Sequence, residues 1–252
     1  MPGPSFDFAT LAFVVVGALV AGFTTGFAGF GTGLVASGFW FHVLPAAAVP
    51  PLVALASVAG QIVGLVTVRN AVDWKRLLPF LLGGAIGIPL GVAALAAVSP
   101  FWLKTLAGAF LVIYSAYQLL ARRRREIGDW GGRVADGAVG VGGGFMGGFA
   151  GLSAPLPVMW LQLRGGPTGG QRAVYQPFNL IVLTLASAGM ALDGQITPQV
   201  GWIALVCLPV TVGGAWIGAR LYGAVSPRTF QRLVLCLLLA SGAILLAQAF
   251  WV

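Results

Sequence analysis

Apolar residues run almost unbroken along the chain, and short polar stretches cut them into two matching series. No Asp, Glu, Lys or Arg occurs from Phe8 to Val68, a run far longer than the ~20 apolar residues that one membrane span needs. The pattern predicts a long first segment over 8–44, broken around Thr24–Gly33, then helices over 49–69, 76–97 and 101–121. A polar linker over 122–136 follows. The second series holds a segment over 137–163, broken around Gly147–Pro155, then helices over 173–192, 198–221 and 228–251.

The breaks are related. Gly26-Phe27-Ala28-Gly29 returns as Gly148-Phe149-Ala150-Gly151, 122 residues later. Val98-Ser99-Pro100 returns as Val225-Ser226-Pro227, 127 residues later. The difference of five is an insertion, placed in the glycine-rich loop Arg164–Arg172. Ser-Pro opens the last helix of each series, serine as N-cap and proline in the first turn. The expected fold is therefore an all-α integral membrane protein of two repeats, 1–121 and 137–252, joined by the linker. Each repeat is a glycine-broken re-entrant or hairpin segment plus three transmembrane helices. Paired broken helices at corresponding positions point to a transporter with its site between the repeats.

Composition sharpens this reading. The chain is 58% hydrophobic and 8% charged over 252 residues, against about 25% charged for a soluble domain. No secretory signal peptide is expected, since the start lacks a basic region and the apolar run continues far past any cleavage site. The net charge of +8 reads as topology rather than nucleic-acid binding, because the basic residues fall in short loops. Arg122–Arg125 suits a cytoplasmic loop beside anionic lipid. Cys207 and Cys236, in apolar helices without CxxC spacing, read as small packing residues.

Charge also decides the handedness of the repeat. If each broken segment crosses once, the 14 Lys and Arg divide 8 to 6 between the two sides, which is no bias. If each goes in and returns, 13 of the 14 share one side and only Lys104 lies on the other. The positive-inside rule selects the second arrangement: inverted repeats, with both termini outside the cytoplasm. Charge parity leaves open whether the arms stop mid-membrane or cross fully.

A returning helix that starts inside the membrane offers unpaired N–H groups and a positive dipole end, which suits an anion. The residues expected around it are Thr24, Thr25, Gly31 and Thr32 at the first break and Gly151 and Ser153 at the second. Ser57 and Gln61 join them from the next helix of repeat one, and Tyr175, Gln176 and Asn179 from its counterpart in repeat two. Hydroxyls and amides suit oxyanion oxygens; interhelical hydrogen bonding is the competing use of each. Gly22 and Gly26 equally fit small-xxx-small helix packing. Arg172 is expected to open its helix and draw anions electrostatically at the cytoplasmic mouth, or to serve only as a topology charge. His42 reads as interfacial rather than a proton relay, and Asp136 as a loop-end carboxylate. One His and two separate Cys build no familiar metal, haem or iron–sulfur site, and no Walker loop is present. No enzyme activity and no cofactor are expected.

At these residues the chain resembles the TauE/SafE family of sulfite and organosulfonate exporters. Gly17–Gly33 resembles its opening glycine-rich broken helix, and Asn70-Ala71-Val72-Asp73-Trp74 its loop into the third element. Gly214-Ala215-Trp216-Ile217-Gly218-Ala219-Arg220-Leu221 with Val225-Ser226-Pro227 resembles its penultimate helix and turn. The likeness covers nearly the whole chain. It implies a secondary carrier in the bacterial inner (cytoplasmic) membrane that exports a sulfur-containing anion such as sulfite, a sulfonate or thiosulfate. The family's Gly-x-Gly-Gly-Gly reads Gly29-Phe30-Gly31-Thr32-Gly33 here, and the second copy reads Gly151-Leu152-Ser153-Ala154-Pro155.

The expected partners are thus a small sulfur anion, the bilayer and a proton as the first candidate coupling ion, with no nucleic acid; the oligomeric state is open. A passive anion or solute channel is the alternative, since paired re-entrant helices also build channels. The lack of an Asn-Pro-Ala pair argues against an aquaporin-like pore. A membrane scaffold without transport ranks last, because abundant intramembrane glycine costs stability.

Overall fold

A computed structural model describes residues 7–66, 72–120, 126–221 and 227–250, apart from the side chains of Pro227 and Arg228. Arg69, Asn70-Ala71, the Arg122–Arg125 block and Val225-Ser226 lie outside the described residues. The described chain is helical, without a strand. The helices are α1 (Phe8–Ala28), α2 (Thr32–Trp40), α3 (Val49–Val66), α4 (Trp74–Ala97), α5 (Pro100–Leu120), α6 (Gly132–Ala150), α7 (Pro155–Arg164), α8 (Thr168–Leu192), α9 (Pro198–Arg220) and α10 (Pro227–Phe250). Seven of them, α1, α3 with its leading turn, α4, α5, α8, α9 and α10, are long and apolar enough to cross a membrane.

Both breaks occur at the expected glycines. Gly29 and Gly31, with φ of +83° and +116°, separate α1 from α2, a conformation that a residue with a Cβ rarely adopts. At the second break Gly151 has φ +71°; its amide donates to Gly147 O at 3.0 Å, and Leu152 N donates to Met146 O at 3.1 Å. This closes α6 in a Schellman-like turn. The arms are unequal. α1 has 21 residues and α2 only nine, about 31 and 14 Å long. α6 and α7 have 19 and ten. The short arm folds back on the long one: Trp40 Nε1 donates to Val14 O at 3.0 Å, and Thr25 meets Thr32.

Two boundaries differ from expectation. α6 begins at Gly132, inside the expected linker, so Asp136 is helical and buried rather than at a loop end. Its Oδ1 accepts from Trp160 Nε1 at 2.7 Å and lies 3.2 Å from Arg164 Nη2. α8 begins at Thr168, which leaves Arg172 one turn inside it rather than at its start. A run of small residues hid both starts, because the apolar pattern is weak across Gly131–Gly132 and Gly165–Gly170.

Glycine sets the packing. A Cβ on Gly22 would strike Thr211 O and one on Gly26 would strike Ala215 O, while Gly214 and Gly218 abut the carbonyls of Leu19 and Phe23. α1 and α9 therefore run parallel, backbone against backbone. On the other side Gly83, Gly87 and Gly91 of α4 face Gly137, Val141 and Phe145 of α6, again parallel. Such spacing admits the close approach that packing in lipid requires, and it assigns Gly22 and Gly26 to helix packing. α3 lies against α8, and α5 against an antiparallel α10, with Phe101 beside Phe250 and Gly108 beside Gly242. These directions gather Lys75, Arg76, Arg133, Arg164, Arg172, Arg220 and Arg232 at one end of the bundle, and Lys104 at the other.

Gly214→Val should destabilise the protein by about 1–3 kcal/mol through overpacking, seen as a lower Tm in detergent. Gly213→Val, where nothing lies within 4 Å of an added Cβ, should leave Tm within a degree or two.

Candidate functional site

The two breaks meet. A Cβ on Gly33 would lie 2.8 Å from Gly151 O, and one on Gly151 would lie 3.0 Å from Pro50 O and 2.8 Å from Val53 Cγ1. Between them sits a cavity of about 10 Å³, bordered by Gly31, Thr32, Gly151, Ser153, Ser57 and Gln61. That volume is about what one water needs. The starts of α2 and α7 both border it, through Gly33 and Leu34 on one side and Ala154 and Pro155 on the other.

Its polar groups are buried. Thr32, Ser57, Gln61 and Ser153 are each 1–3% exposed. Thr32 N donates to Thr25 Oγ1 at 2.8 Å, and the two threonine hydroxyls pair with each other. Thr25 thus anchors the first turn of α2. Ser153 donates to Asn179 Oδ1 at 3.1 Å. Ser57 Oγ, Gln61 Oε1, Asn179 Nδ2 and both side-chain amide atoms of Gln176 have no protein hydrogen-bond partner. Gln176 and Gln61 both close on Gly64: a Cβ there would lie 3.6 Å from Gln61 Oε1 and against Gln176 Nε2. Buried polar atoms without partners are rare and costly. These five atoms lie on α3 and α8 near the two breaks, while others, such as Ser37 Oγ and Ser115 Oγ, lie elsewhere.

The dipoles are not matched in their donors. Pro155 and Pro157 stand at the first and third positions of α7 and have no N–H to offer. α2 keeps the amides of Gly33 and Leu34. Both helices still present a positive end.

The expected residues divide into two groups. Gly31, Thr32, Ser57, Gln61, Gly151 and Ser153 border the small cavity, with Gln176 and Asn179 just behind it. Thr24 and Tyr175 do not border it. Thr24 donates to Val20 O at 2.8 Å, and Tyr175 donates to Ala28 O at 3.2 Å, at the end of α1. With Arg172, whose Nε lies 2.7 Å from a Cβ position on Gly29, they border a second cavity of about 180 Å³. Arg172 therefore places its charge at the negative end of the α1 dipole. Gly31 and Leu34 border both cavities. His42 lies apart from both, in the turn after α2, 3.0 Å from Ser241 Oγ and 3.3 Å from Gln248 Oε1. Burial holds its pKa below the usual value and Lys104 adds to this, against the hydrogen bond to Gln248.

Sequence reasoning missed Arg164. It is 8% exposed, and its guanidinium donates to Asp129 Oδ1 at 2.9 Å and to Gly132 O at 2.7 Å. It thereby ties the end of α7 to the start of α6. Only the Asp136–Trp160–Arg164 spacing on facing arms could have announced it. The aromatic border of the larger cavity, Phe27, Phe30 and Phe230, was missed as well.

A multi-pass helical membrane protein with two broken helices meeting at a buried polar cavity is built as a transporter is built. The pattern of the sulfite exporter TauE/SafE family matches residues 14–245, and the chain belongs to that family of membrane transporters for sulfur compounds. No curated protein and no solved structure matches the chain.

Gln176→Met removes two unpartnered amide atoms at nearly constant volume. In the absence of added anion its Tm should equal or exceed that of the parent protein, as differential scanning fluorimetry would show.

Proposed function

We propose that the protein is a secondary carrier that moves a small sulfur oxyanion, sulfite or a sulfonate, across the bacterial cytoplasmic membrane by alternating access, in the direction of export. The anion is held between the N-termini of α2 and α7 by amide and hydroxyl donors, chiefly Ser57, Gln61, Thr32, Ser153, Gln176 and Asn179. The observation that carries this reading is the convergence of both breaks on one buried cavity with unpartnered polar side chains around it. Neutral donors and helix dipoles favour a negative solute there without burying a lysine or arginine, which is expensive inside a membrane.

Several features support an inverted repeat. α1 pairs with α9 as α6 pairs with α4, and α3 with α8 and α5 with α10 exchange onto themselves. α1 runs towards the arginine-rich end and α6 away from it. The same end fits the cytoplasm by the positive-inside rule, which leaves both termini outside. The larger cavity opens from that end towards Gly31, whereas Gly151 is packed tightly on Pro50 and Val53. A closed partition of this kind supports a carrier over a continuous pore. Rocking of one repeat against the other would expose the anion to each side in turn. A proton is the proposed coupling ion.

Sulfite flux into proteoliposomes tests the reading. It should saturate with sulfite concentration and be stimulated by sulfite on the opposite side. Unsaturable flux would favour a channel, and absence of both flux and binding would refute transport of this anion. Thr32→Val and Ser153→Ala should each weaken sulfite affinity about tenfold, the loss of one or two charge-assisted hydrogen bonds. His42→Ala should change it less than twofold.

A further inference from the structure

Near the arginine-rich end α10 touches α1 through aromatic rings, Phe230 lying 5.5 Å from Phe23 and 4.5 Å from Phe27. Further along, the two helices part, and a cleft of about 330 Å³ lies between them with α2 as its floor. Its α10 wall runs from Val234 to Ile244, about 15 Å, which is half the ~30 Å hydrocarbon core of a bilayer. The border is apolar except at the end away from the arginines, where His42 and Ser241 stand. Both are satisfied within the protein. Ser241 donates to Gly38 O, which leaves its oxygen to accept from His42 Nε2 at 3.0 Å. The cleft therefore asks for no water, and a dry apolar space of this size takes an apolar guest. Leu237 and Ile244 on its border are 58% and 51% exposed, so it opens sideways to the bilayer.

Lipid tails are as apolar as the cleft, so a chain alone gains only packing there. Selection comes from the mouth. Among the described residues Lys104 of α5 is the one cation at that end, and it makes no ion pair. It lies close enough to His42 for its charge to lower the pKa of the ring. Asp7 and Asp193, the acidic residues described at the same end, do not border the cleft. We infer that the cleft between α1 and α10 binds one phospholipid with an anionic head group, its acyl chain along Val35, Gly38 and Phe39 and its phosphate at Lys104. The site is independent of the transported solute. It sets the chain behind α2, the short arm whose start borders the small polar cavity.

Native mass spectrometry of the purified full-length protein, titrated with dioleoylphosphatidylglycerol or dioleoylphosphatidylcholine, tests this. One phosphatidylglycerol should be retained per chain, about fivefold more tightly than phosphatidylcholine. Lys104→Gln should bring the two lipids to equal affinity. Ala240→Trp, which fills the cleft from its exposed side, should abolish the retention. Ile244→Trp, on the same wall, provides the test if that variant does not fold. Equal retention of both lipids by the parent protein would overturn the site, as would phosphatidylglycerol retention that survives the tryptophan substitution. A dimer that the tryptophan substitution dissociates would also overturn it, since a second copy of the chain would then cover the cleft. Sulfite binding enters none of these outcomes.

Discussion

Every backbone N–H and C=O inside a bilayer needs a partner, and the rest of this fold follows from how the chain meets that demand where its helices break. Gly29–Gly31 separate α1 from α2, and Gly151–Ala154 separate α6 from α7. Exposed to lipid, the loose amides of either break would cost several kcal/mol apiece. Each break is instead covered by the other, and by Pro50, Val53 and the polar residues of α3 and α8. The same sheltering leaves the positive ends of α2 and α7 enclosed beside one cavity.

Burying two hairpins face to face demands close helix packing around them, and glycine supplies it. α1 on α9 and α4 on α6 touch through backbone, so that α3 and α8 cross between these pairs next to the breaks. The polar residues on that crossing are not evenly distributed. Ser57 lies at the middle of α3 and Gln61 in its second half, and Arg172, Gln176 and Asn179 lie in the first half of α8, which is the half towards the arginine-rich end. The opposite end of α3, Val49–Val53, is apolar and buried, and that of α8 carries buried Leu183, Ala186 and Met190 with Ser187 among them. The polar side chains of α3 and α8 therefore face the arginine-rich end more than the opposite one.

Much of this was legible before any coordinates. The breaks, the helix count and the clustering of cations follow from hydropathy, a repeated Gly-Phe-Ala-Gly and loop charge. Ser57 and Gln61 were legible as polar residues in an apolar helix, and Thr32 and Ser153 as hydroxyls in the two glycine-rich breaks. What the sequence hid depends on distance in space. It could not show that Thr25 spends its hydroxyl on the first turn of α2, or that Tyr175 donates to Ala28 O beside the first break instead of bordering the small cavity. Nor could it show Asp136 inside a helix with Arg164 and Trp160 around it, because the glycines at 131 and 132 resemble a loop when read by composition. The proline-capped start of α7 was readable, but its consequence, fewer amide donors on one side of the cavity, became clear only when both starts were seen to border it.

The most direct test is to locate the anion itself. Selenite has the pyramidal shape of sulfite and scatters anomalously at the selenium edge, so diffraction from crystals grown with it would mark its position. The account predicts one strong selenium peak between Gly33 and Gly151, within hydrogen-bond reach of Ser57 and Ser153. A peak confined to the surface arginines, with none between the breaks, would contradict it.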